Sequence, residues 1–186
     1  TNWDIVTLLN RRTRREILVV AGACGFNGGV GIADVGSGHA EDPAHMRDTH
    51  FRAEGPVVAQ MQAVFMDNWI KASGEVLHGD AYLPEVRPGG EVRAQMFSSS
   101  PTGGGESMHL MYLLAITAAS RSIHLSSAYF VPDELTLRTL VAALKRGVKI
   151  HVITPGEHTD ADTLRSASRA RWGELLAAGA DMTEYG

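Results

Sequence analysis

The chain has 186 residues, 44% apolar and 20% charged, with a net charge of −4 and one cysteine. That composition suits a soluble protein of one or two compact units, and the acidic balance argues against a general nucleic-acid binder. No apolar run approaches the roughly 18 residues of a membrane-crossing helix, and the start carries no apolar signal segment, so the piece is expected to be soluble.

In chain order, Thr1 to Leu9 reads as the tail of a connection or a short strand, with Trp3 and Ile5 as packing residues. Arg11, Arg12, Arg14 and Arg15 follow, a cluster that fits either a solvated surface or a contact with an anionic lipid or phosphate. Ile17 to Ala21 is apolar and rich in β-branched residues, the signature of a strand buried on both faces. Cys24 to Gly28 is expected to pair with it as a hairpin, with Cys24 as a buried thiol. Val30 to Asp34 leads into a loop from Val35 to Met46. Its His39, Glu41, Asp42 and His45 match no standard metal spacing, so no metal is assigned. Thr49 to Glu54 alternates as a strand, and Gly55-Pro56 ends it. Pro56 suits the first turn of a helix whose apolar face is Val57, Met61, Val64, Phe65 and Trp69.

Ser73 to Gly90, dense in glycine and proline, reads as a linker between lobes. Glu91 to Ser98 is expected to be a strand, and Ser99 to Gly105 a turn. The remainder alternates: helix Met108–Ser120, strand Ile123–Ala128, helix Pro132–Arg146, strand Lys149–Thr154, helix Asp160–Ala178 and strand Ala180–Tyr185. Helices alternating with short strands imply right-handed crossovers and a mainly parallel sheet, so the class is α/β. His124 and His151 fall inside strands and read as packing residues. Ligands of such sheets gather beyond the carboxyl ends of the strands, which selects the loops Tyr129–Asp133 and Pro155–Asp160. Tyr129, Phe130, His158 and Asp160 are the cleft-lining candidates there. For Tyr129 and Phe130 the competing reading is packing, and for Asp160 a helix cap.

The stretch from Arg11 to Asp34 is the most site-like: arginines, a strand, then glycines at 22, 25, 28, 29 and 31. The dinucleotide fingerprint fails because Asp34 stands where its third glycine belongs, and the ATP-type loop fails because no lysine precedes Lys71. The stretch resembles instead the phospholipase D superfamily, most closely the bacterial cardiolipin synthase-like proteins, whose motif is H-x-K-x4-D-x6-G-[GS]-x-N. Set on Gly28-Gly29, that spacing is kept without a gap. Arg47–Pro56 (RDTHFRAEGP), Tyr129–Glu134 (YFVPDE) and Ser168–Leu176 (SRARWGELL) are further family-like phrases in the same order, so the resemblance covers nearly the whole chain.

The motif's chemical groups are replaced. The family histidine falls on Arg14, the lysine on Glu16, the aspartate on Ala21 and the asparagine on Gly31; sliding the frame does not help, because the first histidine is His39. The resemblance implies a phosphohistidine mechanism, with lysine and asparagine on the phosphate oxygens and an acid histidine from a second motif. Arg14 cannot lose its proton and so is no nucleophile. Glu16 would repel a phosphate by roughly 4 kcal/mol at about 4 Å and intermediate dielectric.

From the resemblance come four expectations. The fold is a pair of partial phospholipase D-like lobes with mixed, mainly parallel sheets: residues 1–86 the latter part of the first, 87–106 a linker and first strand, 107–186 the early part of the second. The second motif lies beyond Gly186, on the remainder of the parent chain. Substrates are phospholipid phosphodiesters or anionic headgroups, with no metal, no organic cofactor and no nucleic acid. The parent works at the cytoplasmic face of the bacterial inner membrane, and this piece alone is inactive. The substrate-binding candidates are Arg14, Gly28, Gly29, Tyr129, Phe130, His158 and Asp160. A non-catalytic anionic lipid or phosphate binder is the alternative reading, and a phospholipase D-type nuclease a weaker third.

Overall fold

The computed structural model describes residues 16–99, 105–157 and 162–185. The chain divides into two compact units, Thr1–Gly105 and Glu106–Gly186. Each is built on a three-stranded sheet.

In the first unit, β1 (Ile17–Val20), β2 (Cys24–Gly28) and β3 (His50–Glu54) form an antiparallel sheet in sequence order. A short 3-10 turn, Asp34–Gly36, interrupts the loop between β2 and β3. The helix α1 (Val57–Ser73) packs on this sheet, entered through Pro56 in helical conformation and closed by Gly74 in the left-handed conformation. The apolar face expected of α1 is rotated. Val58, Met61 and Gln62 are buried, whereas Phe65 and Trp69 stack with their centroids 5.9 Å apart on a half-exposed flank.

The expectation that β1 is buried on both faces is corrected, since Leu18 is 58% exposed. Alternate residues of a strand point to opposite faces, and β1 shows the half-buried alternation. The expected strand Glu91–Ser98 is also absent. Among the described residues, 74–99 hold no helix or strand, and the Met96 N–H donates to Gln60 Oε1 at 2.9 Å instead of joining a ladder. The stretch read as a linker lies partly on the first unit, where the Pro84 ring sits against Gly22 and Gly89 against Glu54.

In the second unit, α2 (Gly105–Ala118), β4 (Ser122–Ser126), α3 (Glu134–Lys145), β5 (Lys149–Pro155), α4 (Asp162–Arg169), α5 (Trp172–Ala177) and β6 (Asp181–Tyr185) follow in turn. The sheet is parallel throughout, β4-β5-β6, with Ile123 beside Ile150 and Val152 beside Met182. This is the α/β architecture expected from the alternating pattern. β5 is central, and its Ile150 and Val152 are buried in one core with Leu137, Leu140, Leu175, Ile116 and Phe130. Arg146 donates from Nη2 to the carbonyls of Ile116, Thr117 and Ala119 at 3.2, 3.1 and 3.4 Å. It thereby caps the carboxyl end of α2. The single helix expected over Asp160–Ala178 is two, broken at Ala170-Arg171.

Leu140 has no exposed surface. Its replacement by alanine is expected to cost about 2–5 kcal/mol in the unfolding transition of the second unit, followed by denaturant titration. Leu135→Ala, on the exposed side of α3, should stay within about 0.5 kcal/mol.

Candidate functional site

The β1–β2 hairpin organises the motif positions. Its turn is closed by the Ala23 N–H donating to Val20 O at 3.1 Å, and both central residues are left-handed, Ala21 at φ +50° and Gly22 at φ +64°. This handedness matches the twist of paired strands, and Asp-Gly or Asn-Gly supply it with least strain. Gly22 is suited to it; Ala21 is not, because its Cβ crowds the backbone there. Ala21, expected from the resemblance to stand at the family's aspartate position, is therefore a turn residue.

Register then sets the other end. Ile17 lies opposite Asn27 and Val20 opposite Cys24, so the start of β1 meets the end of β2. The Asn27 side-chain amide donates to the Glu16 carbonyl at 3.0 Å and ties Glu16 to that end. Glu16 and Gly28-Gly29 are neighbours, while Ala21 is five residues away along the strand, roughly 16 Å. The hairpin gathers Glu16 and Gly28-Gly29 at one end and leaves Ala21 at the other.

Two residues not selected from the sequence join this end. β3 places His50 opposite Gly28, and the Asp48 carboxylate packs directly on Gly29. A Cβ on either glycine would collide with these neighbours. His50 is exposed at the head of β3. The signal for both was present in the phrase Arg47–Pro56, once that phrase is placed on the strand antiparallel to β2. The Asp48 carboxylate lies at this end beside Gly29, and Glu16 is exposed just before β1. Arg14 lies outside the described residues.

In the second unit the carboxyl ends of β4 and β5 carry three small assemblies. Tyr129 is half-exposed after β4, whereas Phe130 is 8% exposed and packs in the core. Asp133 caps α3 by accepting from the Thr136 N–H at 2.7 Å, and His109 of α2 reaches both Asp133 Oδ2 at 3.2 Å and Thr136 Oγ1 at 3.1 Å. The bonds from Thr136, then His109 beside it, hold the Asp133 carboxyl below the usual carboxylate range. Beyond β5, Arg165 donates bidentately to Glu184 from Nε and Nη2, both at 3.0 Å, and Arg169 Nη1 approaches Glu184 at 3.4 Å. Trp172 Nε1 donates to Ser168 Oγ at 3.1 Å. His158 and Asp160 lie outside the described residues. His124 and His151 meet edge to face at 6.1 Å between centroids, with His151 also 3.2 Å from Thr183 Oγ1. Among the described residues no group of three or more His, Cys, Asp or Glu side chains could hold a metal ion.

The fold of the second unit and the collinear motif phrases agree with comparison to known proteins. The family described as cardiolipin synthase, PLD-like domain, matches residues 112–186. Residues 112–186 are therefore similar to the phospholipase D-like domain of cardiolipin synthases. Similarity extends beyond that domain. The cardiolipin synthase of Geobacillus thermodenitrificans is 35% identical over 179 residues, 95% of this chain and 36% of the relative. Cardiolipin synthase A of Pseudomonas putida strain F1 is 34% identical over 177 residues, and cardiolipin synthase 2 of Staphylococcus epidermidis 31% over 179, each again 95% of this chain and 36% of the relative. The chain thus spans about a third of the length of these relatives. No solved structure gives a significant match.

Two outcomes follow from this geometry. Ala21→Asp or Ala21→Asn should raise the stability of the first unit by roughly 0.5–1 kcal/mol, read from its denaturation midpoint, because either residue tolerates the left-handed turn. Glu184 is held below its ordinary value of 4.5, chiefly by the Arg165 hydrogen bonds. A depressed folded pKa gives stability that is present above that value and is lost as pH falls through the folded pKa. The second unit should therefore lose stability on acidification below about pH 4.5, and Glu184→Gln should flatten that part of the pH profile.

Proposed function

We propose that the chain is a piece of a phospholipase D-type phosphatidyltransferase resembling cardiolipin synthase, and that this piece alone does not turn over phospholipid. In that reading the parent acts on phosphodiesters of anionic phospholipids through a phosphohistidine. The remainder of the parent chain is its partner and supplies the second motif, and the site of action is the cytoplasmic face of the bacterial inner membrane. Among the described residues no helix is long and apolar enough to cross a membrane. The observation that carries the reading is the end-to-end similarity to cardiolipin synthases, joined to a hairpin that keeps the motif's spacing while Arg14, Glu16 and Ala21 replace its histidine, lysine and aspartate.

The inactivity follows from chemistry. Arginine stays protonated and cannot attack phosphorus, and loss of a nucleophile alone removes on the order of a million-fold in rate. Glu16, exposed at the start of β1, opposes the phosphate that a lysine would hold. Purified chain incubated with phosphatidylglycerol vesicles should form neither cardiolipin nor glycerol above background, and acid quench should trap no phosphoprotein. Detectable turnover would overturn the proposal. In a full-length parent, Arg14→His with Glu16→Lys and Ala21→Asp should bring transfer back.

A second reading is favoured by the arginines before β1: a non-catalytic binder of anionic headgroups, with Arg14 gripping a phosphate bidentately. Flotation with vesicles with and without phosphatidylglycerol tests it. Charge-dependent binding that Arg14→Ala weakens several-fold supports this reading, and binding independent of lipid charge removes it.

A further inference from the structure

The carboxyl end of β5 holds a buried hydroxyl without a partner. Thr154 is 5% exposed, and its Oγ1 is the one buried side-chain polar atom, among the described residues, that lacks a hydrogen bond. The backbone of Thr154 is committed to the parallel ladder, where it lies beside Glu184 of β6. Its side chain points to the buried face of β5, the same face as Ile150 and Val152. A buried hydroxyl left unpaired is rare in folded proteins and calls for an explanation.

Thr154 lines a small cavity of about 10 Å³ together with Ala128, Pro155, Arg165, Ser168 and Trp172. This volume is about what one water needs, and far below what an organic ligand or a phosphate would fill. The lining is polar where it matters. Ser168 is itself 5% exposed, and its Oγ accepts from the Trp172 indole while keeping further hydrogen-bonding capacity. The Arg165 guanidinium borders the same space, fixed in orientation by its bidentate grip on Glu184. Apolar cavities of this kind stay dry, whereas a site with two to four polar partners retains water.

We infer that Thr154, Ser168 and Arg165 hold a single structural water that joins the end of β5 to α4. The water answers the Thr154 hydroxyl and carries its hydrogen bonding to the helix that packs over it. The inference rests on the cavity and on Thr154, and it stands whether or not the parent is a phosphatidyltransferase.

A crystal structure of the full chain at a resolution that shows ordered waters tests it. One fully occupied water is expected about 2.7–3.2 Å from Thr154 Oγ1 and within the same range of Ser168 Oγ or an Arg165 nitrogen. The same water should persist in Thr154→Ser and be lost in Thr154→Val, whose shape is preserved without the hydroxyl. If the wild-type Thr154 hydroxyl bonds directly to a protein acceptor, or the cavity shows no density, the inference is overturned. Retention of the water in Thr154→Val would overturn it equally. Should Thr154→Val fail to fold, the wild-type and Thr154→Ser structures decide the question by themselves.

Discussion

The register of one hairpin governs what the first unit can do. With Ile17 opposite Asn27 and Val20 opposite Cys24, the chain has no freedom over which motif positions meet. A slip by one residue would turn every side chain of β1 to the other face, so the alternating burial and the left-handed turn at Ala21-Gly22 hold the arrangement together. From that register follow the closeness of Glu16 to Gly28-Gly29, the contact of Asp48 with Gly29, and the remoteness of Ala21. On the proposed reading the spacing of the site is kept and its charge inverted, because Glu16 stands where a phosphodiester would need a cation.

That inversion separates two properties that are commonly merged when function is argued from fold. The second unit has a parallel β4-β5-β6 sheet with a buried β5 core, and residues 112–186 match the phospholipase D-like domain model. Fold and family do not supply chemistry; side chains at defined positions do. Here the architecture and the similarity to cardiolipin synthases coexist, on the proposed reading, with Arg14, Glu16 and Ala21 in place of the first motif's acting groups.

Much of the fold was legible because local signals were strong. The β1–β2 hairpin, the helix after Gly55-Pro56 and the regular alternation from Met108 onward all carry clear periodicity and punctuation. The misreadings have distinct physical causes. Glu91–Ser98 has a strand-like composition, but composition does not provide a pairing partner, and the Met96 N–H turned to Gln60 instead. Ile17–Val20 looked buried on both sides because a run of apolar residues reports hydrophobicity and not which faces are covered. The break at Ala170-Arg171 has no glycine or proline to announce it. Asp48 and His50 escaped selection because their nearness to Gly28-Gly29 arises only from the antiparallel pairing of β2 with β3. Phe130, a cleft-lining candidate from its place after β4, packs in the core, because only the folded arrangement decides which side of that loop is covered.

The most direct test of the account is the response of the Gly28 and Gly29 amide resonances to a soluble phosphodiester headgroup such as glycerophosphoglycerol, compared in the native chain and in Glu16→Lys. If Glu16 sits at the glycine end of the hairpin and repels phosphate there, Glu16→Lys should bring out saturable shifts at Gly28, Gly29, Asp48 and His50, at least about tenfold tighter than any native response. Shifts of equal size in both proteins, or shifts in Glu16→Lys confined to residues away from Gly28-Gly29, would contradict it.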